Sequence, residues 1–534
     1  MTILAQRLAN LSLDPNLVQQ TIAAMKEAAR NPVTDPMLAG FAGMMAKAST
    51  FTQASSPTSG LTYYDLEVGA KFLVPVITPL RNETARVSGK GGIEADWRAV
   101  TGVNTTAVRA GVSVGNRGGV IAVATRDFTA SYRGIGLEAN IDWEAEYAAM
   151  GFDDVRSIAG TTLLWSLMIA EEAIILGGNR QLPLGTTPTP TVTAATTGGA
   201  LAAGTYSVIC VALTLDGLIN ASVAGGIQGA ITRTNADASS DTFGGGAAGQ
   251  SAHQTATVAS GSTGSLAVSV APVKGAYGYA WFWGASGSEV LGAITPSPAA
   301  AQANCSASGV NSLIITGTAT GTQTASSLGG ADNSTNDLVF DGLLTLPLLI
   351  GANGYYVAQP TGTAGVGTPL TADGDGGIVE IDTALKWFWD NWRLSPTEIW
   401  VSSQEALNIG RKISQGPGSG ASNLRFVRDA KDGLLVGAVA ARSYMNRFSM
   451  TGAAEIPIRL HPNMPAGTIL FNTKVLPYSL SNVPNVNQIR TRRDYFMIDW
   501  PWRSRRYEYG VYADEVLQCY APFAIGQITN IANG

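Results

Sequence analysis

Charge is what this 534-residue chain has least of. Only 14% of its residues are Asp, Glu, Lys or Arg, against about 25% in an ordinary soluble domain. A lone monomer normally carries more charge on its surface. The shortage, together with 62 glycines and abundant Ala and Thr, fits a β-rich chain that spends much of its surface on interfaces. The net charge of −5 argues against a general nucleic-acid binder, which would be basic. Histidine is scarcer still, with only His253 and His461. Neither has a neighbour in sequence that suggests a triad, and a three-ligand zinc site cannot be built from histidine alone. The three cysteines, Cys210, Cys305 and Cys519, are far apart. They are expected to be reduced, mostly buried thiols of a protein made in the cytoplasm. No basic segment followed by an apolar run opens the chain, so no signal peptide is expected. The most apolar helical stretch, 163–170, is too short to span a bilayer. Glu171 and Glu172 end it, and they read as a solvated or interface-facing pair.

Motifs for chemistry are also missing. Asp373-Gly374-Asp375-Gly376-Gly377 resembles a calcium loop only superficially, because Gly377 takes a ligand position and Ala384 stands where the closing Glu should be. A turn is expected there. Gly416, Gly418 and Gly420 follow a helix rather than a strand and bring no lysine, so they form neither a dinucleotide fingerprint nor a phosphate loop. No catalytic residue, metal site or cofactor is expected.

What the chain does have is alternation. Residues 1–60 read as an arm, with a helix started by Asp14-Pro15 and a Ser/Thr-rich linker at 49–60. The arm either packs on a neighbouring subunit or stays free. Residues 72–78 read as a short apolar strand. Val112 and Val114, Gly115-Asn116-Arg117-Gly118-Gly119 and 120–124 give a hairpin signal, and such a hairpin needs something to lie on. Residues 152–176 are the strongest helix. Asp153 or Asp154 caps it, and Val155, Ile158, Thr162, Trp165 and Ile169 form its stripe. From 181 to 335 charge almost vanishes, and short strands at 202–222 (turning at Asp216-Gly217), 265–273, 277–284, 289–294 and 312–316 suggest an inserted β-sandwich. Helix 382–392, strand 398–401 and helix 403–413 restore an α+β pattern. Strand candidates follow at 423–427, 434–441, 455–460 and 468–472. The last stretch alternates most strongly. Phe496, Ile498 and Trp500 lie at period two, and Tyr507, Tyr509 and Val511 resume it after Pro501. Pro522 is expected to demote the tail to an edge or a bend.

That last stretch carries a resemblance. Arg490-Thr491-Arg492-Arg493-Asp494-Tyr495, Trp500-Pro501, Tyr507-Glu508-Tyr509-Gly510 and the closing Glu515-Val516-Leu517-Gln518-Cys519-Tyr520-Ala521-Pro522 resemble the end of tailed-bacteriophage major capsid proteins. The resemblance implies the Hong Kong-type capsid fold, an α+β class. Its expected parts are an N-terminal arm (1–60), an extended loop, peripheral strand and spine helix (61–180), an axial domain (336–480) and C-terminal peripheral strands (481–534). The stretch 181–335 resembles immunoglobulin-like or fibronectin type III-like insertions. The implied partners are sister copies in pentamers and hexamers, a portal, a scaffolding or decoration protein, and packaged double-stranded DNA by non-specific proximity. No membrane partner is implied, and Lys90 alone is no evidence for a covalent cross-link. Two other classes stay open, a tail or decoration protein and a secreted carbohydrate-binding β-sandwich. Arg490, Arg492, Arg493, Arg503, Arg505 and Arg506 form a basic cluster interleaved with Asp494, Glu508 and Glu515. It contacts either nucleic acid or carboxylates of neighbouring subunits, and the interleaving favours the second.

Overall fold

The computed structural model describes residues 70–103, 111–150, 153–235, 238–296, 304–415, 441–449 and 454–534. The expected arm, the strand at 423–427, nearly all of that at 434–441 and the glycines at 416–420 lie outside these residues. The chain divides into two compact units. The smaller contains Ile141–Ile158 and Trp502–Tyr507, and the larger contains Phe72–Asn140, Ala159–Pro501 and Glu508–Gly534.

Residues 72–78 are not a strand. Pro75 lacks an amide donor, and Pro79 instead opens the short helix α1 (Pro79–Glu83). Leu73, Val74 and Ile77 are left exposed, while the Phe72 ring meets Trp165 edge-on at 5.0 Å. The chain continues through β1 (Ala85–Ser88), β2 (Glu94–Val103), β3 (Val123–Ser131), β4 (Arg133–Asp142) and α2 (Trp143–Ala149) to α3 (Val155–Gly177). The hairpin is real but wider than its sequence signal. β2 and β3 pair antiparallel from Glu94↔Ser131 to Val103↔Val123, and residues 111–122 are loop. Gly111, Gly115, Gly118 and Gly119 offer no side chains to make cross-strand pairs there. Asp154 caps α3, its Oδ1 accepting from Ser157 N at 3.1 Å. The face of α3 that is buried is not the expected one. Leu163, Leu167, Glu171 and Ile175, spaced by four, are buried with Glu172 and Leu176, whereas Ile169 is exposed.

The low-charge stretch forms β5 (Thr191–Ala195), β6 (Gly204–Leu213), α4 (Leu215–Ile219), β7 (Ala230–Thr234), β8 (Ser240–Gly244), β9 (Gln254–Val258), β10 (Ser265–Ser269), β11 (Gly278–Gly284), β12 (Val290–Thr295), β13 (Cys305–Ser306) and β14 (Ser312–Ile315). Two four-stranded sheets result, in the orders β13-β14-β10-β5 and β12-β11-β6-β9. Val208, Cys210, Tyr279, Trp281 and Trp283 from the second share a core with Leu266, Val268, Leu313 and Ile315 from the first. Gly292 lies flat against the Trp283 indole, where a Cβ would stand 2.1 Å from a ring atom. Asp216-Gly217 does not turn a hairpin. Thr214 Oγ1 accepts from Gly217 N and starts α4 instead, so the expected second strand is absent.

The remainder gives β15 (Tyr355–Ala358), α5 (Val379–Trp392), β16 (Glu398–Val401), α6 (Ser403–Ser414), β17 (Ser443–Asn446), β18 (Ala454–Leu460), β19 (Ile469–Asn472), β20 (Asn487–Asp499), β21 (Arg506–Cys519) and β22 (Gly526–Thr529). One six-stranded sheet has the order β15-β22-β19-β16-β18-β17. α5 buries Ile381, Leu385 and Phe388 in the core that includes this sheet's Ile399, Ile456 and Phe471. Ser402 caps α6 through Glu405 N at 3.2 Å. Pro522 makes a bend as expected, but β22 is no edge. Its four residues are buried between β15 and β19, because the proline sits upstream in a single turn and removes no ladder donor. Another sheet, β1-β20-β21-β4, brings residues 85–88 beside strands some four hundred residues later. β1 pairs parallel with β20, Ala85 opposite Gln488. Removing the Phe388 ring from this core should cost about 3–5 kcal/mol. Urea denaturation of Phe388→Ala checks the value.

Candidate assembly interface and its buried anchor

The adjacent carboxylates Glu171 and Glu172 sit on the buried face of α3, not in solvent. Their expected role as a solvated or interface pair is therefore corrected. The signal was present in the spacing, since Glu171 lies four residues from both Leu167 and Ile175. Each carboxylate has its own set of partners. Glu172 accepts from Leu80 N at 2.8 Å and Arg81 N at 2.7 Å. It thereby satisfies the free N–H groups of α1 from another part of the fold. His461 completes it, with Nε2 2.7 Å from Glu172 Oε1. Because His461 Nδ1 accepts from Asn463 N at 3.1 Å, the ring proton lies on Nε2 and points at the carboxylate. Glu171 binds Arg81 Nε at 2.8 Å and Arg86 Nη1 at 2.6 Å, and accepts from the Tyr495 hydroxyl. Arg86 also reaches Asp494 at 2.9 Å and Glu515 at 2.7 Å. Both guanidiniums lie about 5 Å from the Tyr495 ring centre. The cluster thus ties α3, α1, β1, β20 and β21 together at one point. Burial, and then the neighbouring Glu171 charge, push the Glu515 carboxyl up to about 8, against the pull of Arg86.

The basic cluster is resolved residue by residue. On β20, Arg490 Nη1 reaches Gln518 Oε1 at 3.4 Å, Arg492 pairs with Asp514 at 2.9 Å, and Arg493 lies over the Phe496 ring at 3.6 Å. In the smaller unit, Arg506 binds Asp142 at 2.7 Å, Arg505 stands 3.5 Å from Glu144, and Arg503 is exposed. Trp143 packs edge-on against Trp502 there, at 5.5 Å. Arg490, Arg492 and Arg493 belong to the larger unit and Arg503, Arg505 and Arg506 to the smaller. Glu508 contributes its backbone oxygen to Trp500 N, Asp494 is exposed, and Glu515 faces inward.

Apolar exposure concentrates elsewhere. Val100, Val103, Val112, Val114, Val120, Ile121 and Val123 lie along the β2–β3 hairpin and its loop, all at least half exposed, and Leu73 is 89% exposed. By length and apolar composition α3 could cross a bilayer, but its two carboxylates bind the α1 amides and arginines above. Asp373 forms a turn, its Oδ1 accepting from Asp375 N and Gly377 N. Among the described residues no cluster of His, Cys, Asp and Glu could hold a metal. Burial raises the pKa of the Cys210, Cys305 and Cys519 thiols.

No protein-family model matches the chain, and no curated protein matches it. Solved structures do match it. A chain from the capsid of a native GTA particle is 10% identical with a TM-score of 0.39, over 90% of this chain and 100% of that one. One from the capsid of cyanophage P-SCSP1u is 8% identical with a TM-score of 0.36, over 89% and 93%. One from the mature capsid of bacteriophage PhiM1 is 8% identical with a TM-score of 0.32, over 88% and 91%.

Two outcomes follow from the buried carboxylates. Glu172→Ala should destabilise the fold by about 3–5 kcal/mol, since it leaves buried donors without an acceptor. Urea unfolding reads this. Glu405 is buried beside Gly467 N, which donates to it at 2.9 Å, and burial pushes its carboxyl up to about 7. A carboxyl raised in the folded state stabilises fully below its unfolded pKa, and that contribution is lost as pH rises through about 7. The urea midpoint should fall between pH 5 and pH 8, and Glu405→Gln should lessen the fall.

Proposed function

We propose that this chain is the major capsid protein of a tailed bacteriophage, a structural, non-catalytic subunit of the icosahedral head. Copies would gather in pentamers and hexamers in the host bacterial cytoplasm and close around the genome, with a portal and a scaffolding or decoration protein as further partners. The observation that carries this reading is the β2–β3 hairpin. Two strands with so many exposed valines are not stable in water alone, and contiguous apolar surface of this kind marks an interaction site. A sister subunit beneath it would supply the missing packing. The resemblance of 490–522 to the end of phage capsid proteins agrees, as does the pairing of that segment with β1 across some four hundred residues of chain.

On this reading the hairpin is the extended loop, α3 the spine, and the six-stranded sheet part of the axial region. The sheets built from residues 191–315 would be the immunoglobulin-like insertion. On their strands Tyr279, Trp281, Phe282 and Trp283 are buried and Tyr206 is half-buried, which disfavours the sugar-binding alternative because stacking on a sugar ring needs an exposed aromatic face. Arg503, Arg505 and Arg506 are exposed and would reach carboxylates of neighbouring subunits. One such pair contributes only about 0.2–1 kcal/mol, but a closed shell repeats it at every contact.

Purified protein should sediment as capsomers or shells and show closed particles by negative-stain microscopy. A monodisperse monomer at high concentration would contradict the proposal. Charge reversal in Arg505→Glu or Arg506→Glu should abolish closed particles while the circular dichroism spectrum stays that of the parent. Normal particles from either variant would remove these arginines from the interface.

A further inference from the structure

Glu171 and Glu515 are both fully buried, and they grip the same guanidinium from its two nitrogens, Arg86 Nη1 at 2.6 Å and Nη2 at 2.7 Å. Four carboxyls converge here, Glu171 and Glu172 from α3, Asp494 from β20 and Glu515 from β21. Among the described residues two guanidiniums bind them, Arg81 from α1 and Arg86 from β1. The other charges nearby are committed elsewhere, with Arg492 on Asp514, Arg493 on the Phe496 ring and Arg490 on Gln518. His461 adds no charge, because its Nδ1 accepts from Asn463 N. Glu515 Oε1 is buried and meets no protein donor. The Glu171 carboxyl is held by the same guanidinium, and a proton shared between the two groups would give that oxygen a partner. Asp494 is largely exposed beside Arg86, so solvent reaches the edge of the cluster.

We propose that Glu171 and Glu515 share a single proton, and that this proton locks α3 onto the sheet β1-β20-β21-β4. When solvent base removes it, two adjacent buried carboxylates remain on one guanidinium, and their repulsion loosens the helix from β21. The lock is a property of the folded chain. Its consequence for a shell, that alkaline conditions slacken every subunit, rests on the capsid reading.

Hydrogen exchange by mass spectrometry on the full-length chain tests the lock without any particle being formed. After correction for intrinsic rates, amides of α3 and of β21 near Glu515 should open more often at pH 9 than at pH 7, by about tenfold, with the rise falling between pH 7 and about 8 and levelling off above that. Glu515→Gln keeps a neutral side chain at every pH and should abolish that increase. An equal increase in both proteins, or none in the parent, overturns the proposal. If the variant does not fold, infrared difference spectra of Glu405→Gln decide, because that background removes the other buried carboxyl raised into this range. A buried protonated-carboxyl band present at pH 7 and lost by pH 9 supports the lock, and its absence at pH 7 overturns it. Particle yield is scored separately, so a chain that never assembles can still show the lock.

Discussion

A charged pair inside an apolar helix is the constraint on which much of this molecule depends. Glu171 and Glu172 cannot be buried bare, since desolvating an unpaired carboxylate costs several kcal/mol. Each must therefore draw donors from elsewhere, and the donors come from distant parts of the chain. Glu172 takes the first free amides of α1, and Glu171 takes Arg81, Arg86 and Tyr495. Satisfying two side chains fixes the position of α1, sets β1 beside β20, and brings residues near 80 and near 500 to one place. Such a cluster gives little net stability compared with an apolar core. Its contribution is a unique arrangement, because few alternative packings could satisfy the same two carboxylates.

The apolar cores do the stabilising. Those within 191–315 hold two four-stranded sheets together around Trp281 and Trp283. The larger core gathers α5, the six-stranded sheet and the C-terminal end of α3. Tyr277 links the two, with its hydroxyl donating to Leu344 O at 3.0 Å and lying 3.1 Å from Gln527 Oε1. Against these packed regions the β2–β3 hairpin stands out. It pairs antiparallel along its length, with one register shift between Val100 and Gly102, but buries little.

Local chemistry was legible wherever one short stretch decided the outcome. The cap at Asp154, the strand Glu398–Val401, the helix after Ser402 and the buried strand around Trp281 all follow from spacing and capping. The failures share a cause. Residues 72–78 have strand-like composition, but among the described residues no strand pairs with them. Asp216-Gly217 could turn a hairpin, but the Thr214 hydroxyl starts a helix first. Pro522 suggested an edge, yet the strand after it is threaded between two others.

The sequence by itself determined the alternation, the caps, the near absence of charge between 181 and 335, and the density of arginine near the end. These are properties of neighbours in the chain, and nearest-neighbour physics suffices for them. Only the tertiary structure decided which face of α3 is inside, that β1 lies beside β20, and that two glutamates read as a solvated or interface-facing pair are the most enclosed charges of the helix. Partners more than eighty residues away supply the hydrogen bonds that make such burial tolerable, and no local pattern records where those partners will come from.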